Sequence, residues 1–250
     1  MTQNKFSIAF LGTGANGGTP QADCRCRFCT SKEKQNKRLR SSILVEFNNK
    51  KVIVDCGPDF RQQLTNNYLR LQDISFITLS HLHWDHCLGL VELSSGQKLN
   101  IPVVVPNELK QSLESHQLFS FLFNNGWAKL IPGDHNINFT KIDHDPNFPT
   151  FAIKITNNRK SVVIATDIAR LNKRLIQEIK RSDLVIFDST FLSESKHFHL
   201  SVVESCKILK TIAKKVVFTH VNHSENPKDI NKHIKQFNFQ LAFDGMKIKI

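Results

Sequence analysis

The 250-residue sequence lacks the features that mark membrane-bound and exported proteins. No apolar window approaches the roughly 18 residues that a membrane helix needs. The opening residues contain only a short apolar run, without the longer apolar core and small-residue cleavage site of a secretory signal. Repeats, coiled-coil heptads and disorder-prone stretches are missing too. We therefore expect a cytoplasmic protein that has no membrane partner.

Motifs that bind nucleotide phosphates are also missing, although a glycine-rich loop follows the first apolar run. Residues 12–20 read GTGANGGTP. No helix is expected after this loop, which excludes a dinucleotide fingerprint, and no Gly-Lys-Ser/Thr ends it, which excludes a P-loop. A loop like this at a strand end can present backbone N–H groups to an anion. A plain turn is the other interpretation, and the sequence leaves both open.

The composition indicates one sizeable domain with anionic partners. Hydrophobic residues make up 40% of the chain, enough for one core, so we treat residues 1–250 as a single domain. The 34 Lys and Arg residues outnumber the 22 Asp and Glu residues, giving a formal net charge of +12. Such a balance favours phosphorylated metabolites, nucleic acid or an acidic surface as partners.

The window ISFITLSHLHWDHCLGL concentrates possible metal ligands after an apolar, strand-like run. In an extended segment, residues two apart point the same way, so His81 and His83 can bind one ion together. Asp85 and His86 follow after the chain turns, and they can face a second ion. Imidazoles combined with a carboxylate suit zinc, manganese or iron better than calcium or magnesium. The window therefore predicts a metal site at the end of a strand.

The order of apolar runs predicts a layered α/β sandwich. Strands over residues 42–47 and 51–55 flank a hairpin turn at Asn48-Asn49, and later strands alternate with helices. Residues 107–123 are predicted to be mostly helical. Core candidates on that segment are Leu113, Leu118, Phe121 and Leu122. Sites in layered α/β folds gather beyond strand ends, and possible ligands at such positions are Asp55, His81, Asp167, Asp188 and His220, with His144 between two strands.

The spacing His81-x-His83-x-Asp85-His86, written HxHxDH, and the order of the later ligands resemble the metallo-β-lactamase superfamily. The resemblance spans most of the chain and implies a four-layer αββα sandwich with two metals at one edge of the packed sheets. It implies that one metal is held by His81, His83 and His144. The second metal would be held by Asp85, His86 and His220. Asp167 would bridge the two metals, and Asp55 would orient the cluster from behind.

The chemistry that this resemblance implies is metal-dependent hydrolysis. Two divalent ions about 3.5–4 Å apart lower the pKa of a shared water and polarise a phosphoryl or carbonyl oxygen. Asp85 would both bind a metal and orient the attacking water. Zinc and manganese both suit the ligands. The fold does not choose a substrate, because the superfamily also includes thioesterases, lactonases and redox proteins.

A cluster of three cysteines narrows the resemblance to one branch. Without a secretory signal, Cys24, Cys26 and Cys29 favour metal binding over disulfides. Together with the glycine-rich loop, they resemble the branch that holds the cyclic phosphodiesterase of the carbon–phosphorus lyase pathway and the pyrroloquinoline quinone biosynthesis protein B. In that phosphodiesterase, three such cysteines and a late histidine hold a structural zinc. The matching late position here is His223, which would complete a closed Cys3His shell.

The same resemblance implies a general acid. His199, just before a predicted amphipathic helix, best matches the acid of the phosphodiesterase and would protonate the leaving alkoxide. His197 lies two residues earlier and is the alternative. Loops around residues 30–40, 60–70 and 190–200 are expected to form the walls of the active site.

Four functional hypotheses follow. The first is a phosphodiesterase acting on a small anionic substrate, namely a cyclic or nucleotide-like phosphodiester. The second is a role like that of the quinone biosynthesis protein, which the complete ligand set with His220 disfavours because that branch departs from the standard ligands. The third is a nuclease resembling tRNA 3′-processing enzymes, which the basic charge favours but for which no long tRNA-gripping arm is present. The fourth, a zinc-finger nucleic-acid binder, leaves the strand-end ligands unexplained. A homodimer is left open.

Overall fold

The computed structural model describes residues 6–131, 133–157 and 159–250. The strands in this part of the chain are β1 (Ser7–Gly12), β2 (Ser42–Phe47), β3 (Lys50–Val54), β4 (Phe76–Thr78), β5 (Ile101–Val104), β6 (Ala128–Ile131), β7 (Ile137–Ile142), β8 (Thr150–Thr156), β9 (Ser161–Ala165), β10 (Leu184–Asp188), β11 (Val216–Thr219), β12 (Gln240–Leu241) and β13 (Lys247–Lys249). The α-helices are α1 (Phe60–Asn66), α2 (Trp84–Cys87), α3 (Asn107–Ser115), α4 (Gln117–Asn124), α5 (Lys173–Lys180), α6 (Val202–Ile212) and α7 (Pro227–Lys235). None of these helices has the length and apolar character needed to cross a membrane.

Two sheets form the centre of the fold. The first has the order β13-β1-β2-β3-β4-β5-β6 and the second the order β12-β11-β10-β9-β8-β7. Strands β3 to β6 are parallel to one another, and so are β9 to β12. Strand β7 has the same direction as β9, because each is antiparallel to β8. The carboxyl ends of these strands therefore meet at common sheet edges, where sites gather in such folds.

Three apolar clusters separate the four layers and confirm the predicted sandwich. Strand β10 shows how alternation creates them: Leu184 and Ile186 pack between the two sheets. Their neighbours Val185 and Phe187 pack on the opposite face, against α5, α6 and α7. The third cluster lies between the first sheet and α1, α3 and α4. A strand that is buried on both faces has a continuous apolar sequence, which is why these strands were easy to predict.

The predicted hairpin turn is present between β2 and β3. Asn48 and Asn49 have φ angles of 47° and 61°, so both occupy the left-handed region. Two such residues form the tight turn whose twist matches that of the flanking strands, and asparagine tolerates this conformation better than most residues. The turn sets the register in which Phe47 pairs with Lys50.

The prediction that residues 107–123 are mostly helical is confirmed, but two of its four core candidates were wrong. The segment forms two helices, because the chain becomes extended at His116, whose ring accepts a hydrogen bond from the N–H of Leu118 at 3.3 Å. The break restarts the helical period, so Phe119 and Leu122 face the core. Leu118 and Phe121, which were core candidates, are 43% and 51% exposed.

The histidine-rich window docks onto the loop after β3 by close backbone contact. Cys56 N–H donates to the carbonyl of His86 at 2.8 Å, and Gly89 N–H donates to the carbonyl of Cys56 at 2.8 Å. A Cβ atom added to Gly89 would lie 2.2 Å from the carbonyl oxygen of Gly57. Only glycine permits this approach, which brings α2 against Asp55.

Replacing Gly89 tests this contact. Gly89→Ala should lower the free energy of unfolding by about 1–3 kcal/mol, because the backbone of the facing loop must move. Gly133→Ala is the matched control, since its added Cβ has nothing within 4 Å, and it should change stability by less than about 0.5 kcal/mol. Urea denaturation measures both values. Equal stability of the two variants would contradict the proposed docking.

Candidate metal centre

The strand ends bring all the predicted dinuclear ligands to one edge of the two sheets. The first sheet supplies the window after β4 and Asp55 directly after β3. The second sheet supplies the remaining three predicted ligands, each placed just past a strand: His144 after β7, Asp167 after β9 and His220 after β11. Their ligand atoms fall into overlapping groups, within each of which every atom lies within 4.8 Å of the others.

The first group consists of His81, His83 and His144. His81 Nε2 lies 2.9 Å from His83 Nδ1. The ring centroid of His144 is 5.3 Å from that of His81 and 5.1 Å from that of His83. Two of the three side chains are buried and His83 is half-buried. Residues 144 and 81 thus meet although they belong to different sheets.

The second group consists of Asp85, His86 and His220. Asp85 Oδ2 lies 3.3 Å from His86 Nε2 and 3.9 Å from His220 Nε2. All three side chains are buried. The turn into α2 after His83 separates this pair of window residues from the first pair, as the spacing predicted.

Asp167 lies between the two groups. Its Oδ1 atom is 3.8 Å from His144 Nε2 and 3.4 Å from His220 Nε2. Its Oδ2 atom is 3.3 Å from His86 Nε2. A carboxylate that faces both groups in this way has the placement of a bridging ligand.

Asp55 fixes the histidine-rich window through hydrogen bonds. Its carboxylate accepts hydrogen bonds from the Ser80 N–H at 2.7 Å, the Ser80 hydroxyl at 2.8 Å and His86 Nδ1 at 2.8 Å. Because the Ser80 hydroxyl donates to Asp55, it can accept from His81 Nδ1, 2.9 Å away. In their neutral forms, both histidines thereby carry the proton on Nδ1 and direct Nε2 into the cluster, as a metal ligand requires.

Several buried ligand atoms at the centre are placed to bind a metal ion. His86 Nε2, His220 Nε2 and Asp167 Oδ2 are buried without a hydrogen-bond partner among the residues that the structure describes. An unpaired buried polar atom costs about 1–3 kcal/mol, yet each of these is a normal ligand of a divalent ion. The residues therefore fit the dinuclear metal site that the superfamily implies.

The electrostatics of the cluster agree with that fit. Burial and the neighbouring His86 hold the pKa of His81 well below its usual range, so His81 is a neutral imidazole. Burial alone would raise the pKa of Asp167, but the surrounding histidines outweigh it and hold this pKa well below normal. Burial lowers the pKa of His86, but Asp167, Asp85 and Asp55 raise it well above normal. The field around His86 thus favours positive charge, which a bound cation would supply.

The three clustered cysteines meet His223 in a separate site. The distances from His223 Nδ1 to the sulfurs of Cys24, Cys26 and Cys29 are 3.5, 3.8 and 3.6 Å. In a tetrahedral zinc site, a sulfur at about 2.3 Å and a nitrogen at about 2.0–2.1 Å from the metal are about 3.6 Å apart. Burial raises the pKa of the Cys29 thiol to about 11. Burial also acts on Cys26, but hydrogen bonds from the Cys29 N–H and His223 bring its pKa down to about 6, which favours one thiolate.

The glycine-rich loop connects this cysteine site to the dinuclear site. Val221 N–H donates to the carbonyl of Thr13 at 2.9 Å, and Ala15 N–H donates to the carbonyl of Val221 at 3.0 Å. Gly14 and Gly18 N–H groups also donate within the protein. These backbone N–H groups of the loop are therefore bonded to carbonyl groups of the protein, which favours a structural turn over an anion-binding loop. Val221 lies directly after His220, so the loop fixes the chain between the two sites.

The fold places His199 and His197 in different surroundings. His199 Nδ1 lies 2.5 Å from Asp188 Oδ2, and its ring centroid is 4.9 Å from that of His144. Burial lowers the pKa of His199, but the charge and hydrogen bond of Asp188 outweigh this and raise it to about 9. His197 is exposed and packs beside Phe191. Of the two candidates, only His199 borders the cluster.

Sequence reasoning missed the partners of His199. It placed Asp188 at a strand end but gave it no role, and it did not single out Thr190. The Thr190 hydroxyl lies 2.6 Å from Asp188 Oδ1 and 2.8 Å from His220 Nδ1. Since Asp188 can only accept, Thr190 donates to it and accepts from His220, which leaves His220 Nε2 for a metal. The available signal was a run of three polar residues, Asp188, Ser189 and Thr190, directly after the apolar residues 184–187.

Solved structures share this fold. A new diphosphatase from the PhnP family superposes with a TM-score of 0.82 at 22% identity, covering 98% of this chain and 97% of that one. Zn(2+)-bound PqqB from Methylobacterium extorquens superposes with a TM-score of 0.85 at 19% identity, covering 98% and 100%. At these identities, the likeness shows the fold alone.

Sequence comparison adds the family. Coenzyme PQQ synthesis protein B from Acinetobacter baumannii (strain SDF) is 26% identical over 310 aligned residues, covering 97% of this chain and 99% of that protein. An octanoyltransferase from Porphyromonas gingivalis (strain ATCC BAA-308 / W83) is 38% identical over 84 residues, but the match spans only 17% of that protein and 33% of this chain. A model of the β-lactamase superfamily domain matches residues 50–221. This match confirms the resemblance that HxHxDH predicted, and the chain belongs to the metallo-β-lactamase superfamily of metal-dependent hydrolases.

Proposed function

We propose that this chain is a phosphodiesterase that hydrolyses small cyclic or nucleotide-like phosphodiesters. The observation that carries the proposal is His199, held 2.5 Å from the buried carboxylate of Asp188 beside the cluster of unpaired ligand atoms. Phosphodiester hydrolysis releases an alkoxide, which needs a proton. A histidine in this place meets that need, and the excess of basic residues suits an anionic substrate.

Two divalent ions, zinc or manganese, would occupy the dinuclear site. The first group of histidines would hold one ion, the second group would hold the other, and Asp167 would bridge them. When bound, the ions would supply an activated water and positive charge for the phosphate oxygens. Because the ions would place positive charge beside the phosphate oxygens, a phosphodiester suits the site better than a neutral ester.

The protein's own groups would manage the protons. The histidines around Asp85 hold its pKa far below the usual range despite burial, so it is an ionised acceptor that can orient the attacking water. His199 donates Nδ1–H to Asp188, which leaves Nε2–H for the leaving oxygen. With its pKa raised to about 9, His199 carries that proton at neutral pH. After the transfer, His199 is neutral and still bonded to Asp188.

A third ion, a structural zinc, would occupy the site of Cys24, Cys26, Cys29 and His223. It would join the cysteine loop to the segment that carries His220, three residues before His223. Its role is therefore to stabilise the chain next to a catalytic ligand rather than to take part in the reaction.

A role like that of coenzyme PQQ synthesis protein B is the second candidate. The observation that favours it is the match to that protein along 97% of this chain. The two candidates differ in chemistry, because only the first requires turnover of a phosphodiester.

Turnover is the direct test of the phosphodiesterase. Protein loaded with manganese or zinc should hydrolyse bis(p-nitrophenyl) phosphate and 2′,3′-cyclic nucleotides, measured as p-nitrophenol release and by chromatography. A precursor tRNA should remain uncut in the same conditions. If no phosphodiester is hydrolysed with either metal, the proposal is wrong and the second candidate gains. Cleavage of the precursor tRNA alone would indicate a nuclease.

The His199→Ala variant tests the general acid. It should reduce kcat by about 10²–10⁴-fold, the usual contribution of proton transfer, while the metal content stays unchanged. His197→Ala is the matched control, because His197 is exposed two residues away, and its kcat should equal that of wild type. Unchanged turnover in His199→Ala would remove the role from this residue.

Metal analysis tests the structural zinc. Wild-type protein should contain three metal ions per chain, and Cys24→Ser should lose about one zinc together with some thermal stability. Cys206→Ala is the control, because Cys206 is buried against α5 and α7 outside the cluster. Mass spectrometry of the metals gives the count. Loss of every metal in Cys24→Ser, or of none, is incompatible with a separate structural site.

A further inference from the structure

A cleft of about 580 Å³ lies beside His144, and two phenylalanine rings line it. Phe148 is 38% exposed and Phe198 is 51% exposed. The large core phenylalanines, such as Phe10 and Phe60, are fully buried. Ligand pockets are usually lined by apolar and aromatic side chains with a few polar groups at the edge.

Both rings contact histidines of the first ligand group. The Phe148 ring centroid is 4.5 Å from that of His83, in an edge-to-face arrangement. The Phe198 ring centroid is 6.5 Å from that of His144, also edge to face, and His144 Nδ1 donates to the carbonyl oxygen of Phe198 at 3.0 Å. A group bound against these rings would therefore be next to the phosphate at the metal site.

The turn that carries Phe198 is strained. Lys196 and His199 exchange both backbone hydrogen bonds, at 3.0 and 2.9 Å, so His197 and Phe198 are the two central residues of a tight turn. Their φ angles are 49° and 63°. Asparagine and glycine are the usual residues in such a turn, and bulky residues adopt it only where the surroundings impose it. Such strain gathers at ligand clamps and active sites, and here one turn places both Phe198 and the acid His199.

The charges at the edge of the cleft argue against a second phosphate as its main ligand. Lys141 and Arg170 are present, but so are Asp143 and Asp145. Arg170 Nε lies 3.4 Å from Asp143 Oδ2, so part of the positive charge is already neutralised. The exposed aromatic rings are the property that distinguishes the cleft.

We propose that this cleft binds the nucleobase of a nucleotide-like phosphodiester, with Phe148 and Phe198 as its stacking surfaces. The proposal rests on the function proposed above, because the metal site must hold the phosphate that the base is attached to. Stacking on an aromatic ring tolerates every base, since each has a flat face. The cleft therefore selects nucleotides over sugar phosphates but does not choose among bases.

Binding of two matched phosphomonoesters tests the cleft without turnover. Titration calorimetry of metal-loaded protein should show that AMP binds about tenfold or more tightly than ribose 5-phosphate, the gain typical of one stacked base. Phe148→Leu and Phe198→Leu should each reduce this preference severalfold, and Phe198→Tyr should retain it. Phe121→Leu is the control, because Phe121 is also 51% exposed but lies on α4 outside the cleft.

The proposal would be overturned if wild type bound AMP and ribose 5-phosphate equally. It would also be overturned if the preference for AMP survived in both leucine variants. Turnover separates this failure from failure of the proposed function. Wild type should have a higher kcat/KM for 2′,3′-cyclic AMP than for glycerol 1,2-cyclic phosphate, which has no base. Equal kcat/KM values overturn the nucleobase cleft alone. Absence of any turnover, with the binding preference intact, overturns the phosphodiesterase and supports the cleft.

Discussion

The hydrogen bond on the outer side of each buried histidine is the interaction on which the metal centre depends. Asp55 accepts from His86, the Ser80 hydroxyl faces His81, the Thr190 hydroxyl faces His220, and the carbonyl of Phe198 accepts from His144. In each case Nδ1 is occupied, so Nε2 is left as the inward-facing atom. A histidine without such a partner could rotate or take up its proton on the wrong nitrogen. The geometry of the site is thus set by the residues that hydrogen-bond to the ligands.

Packing of the two sheets is the second requirement. Each ligand group combines two residues of the HxHxDH window, from the first sheet, with one histidine from the second: His144 in one group and His220 in the other. Neither sheet holds a complete group. The apolar cluster between the sheets, which includes Phe10, Val54 and Ile186, therefore positions the metal ligands as well as stabilising the fold. Core packing and the geometry of the candidate metal centre are coupled for this reason.

Two further features lie beside the dinuclear ligand set. The cysteine site lies three residues beyond His220, and the aromatic cleft lies beside His144. Both adjoin ligands of the second sheet. Loops on a rigid scaffold can change without loss of the core, so in the proposed function substrate choice would reside in them while the sheet edge would supply the metal chemistry. The turn with Phe198 and His199 shows the connection, since one short segment contributes to both.

The sequence by itself determined the positions of the strands, the layered class and the residues that gather at the sheet edge, because these depend on local patterns. Strands buried on both faces have continuous apolar runs, and HxHxDH places its ligands through the geometry of one strand end and one turn. Tertiary structure alone showed that His199, and not His197, lies beside the cluster, in contact with Asp188 eleven residues away along the chain. The structure also shows that Leu118 and Phe121 are exposed, because a break in the helix at residue 116 resets the helical phase. Of the predicted wall segments, only 190–200 contributes to the aromatic cleft, through Phe198, and the other wall comes from residues 141–150. Contacts of this kind join residues far apart in sequence, so no local pattern encodes them.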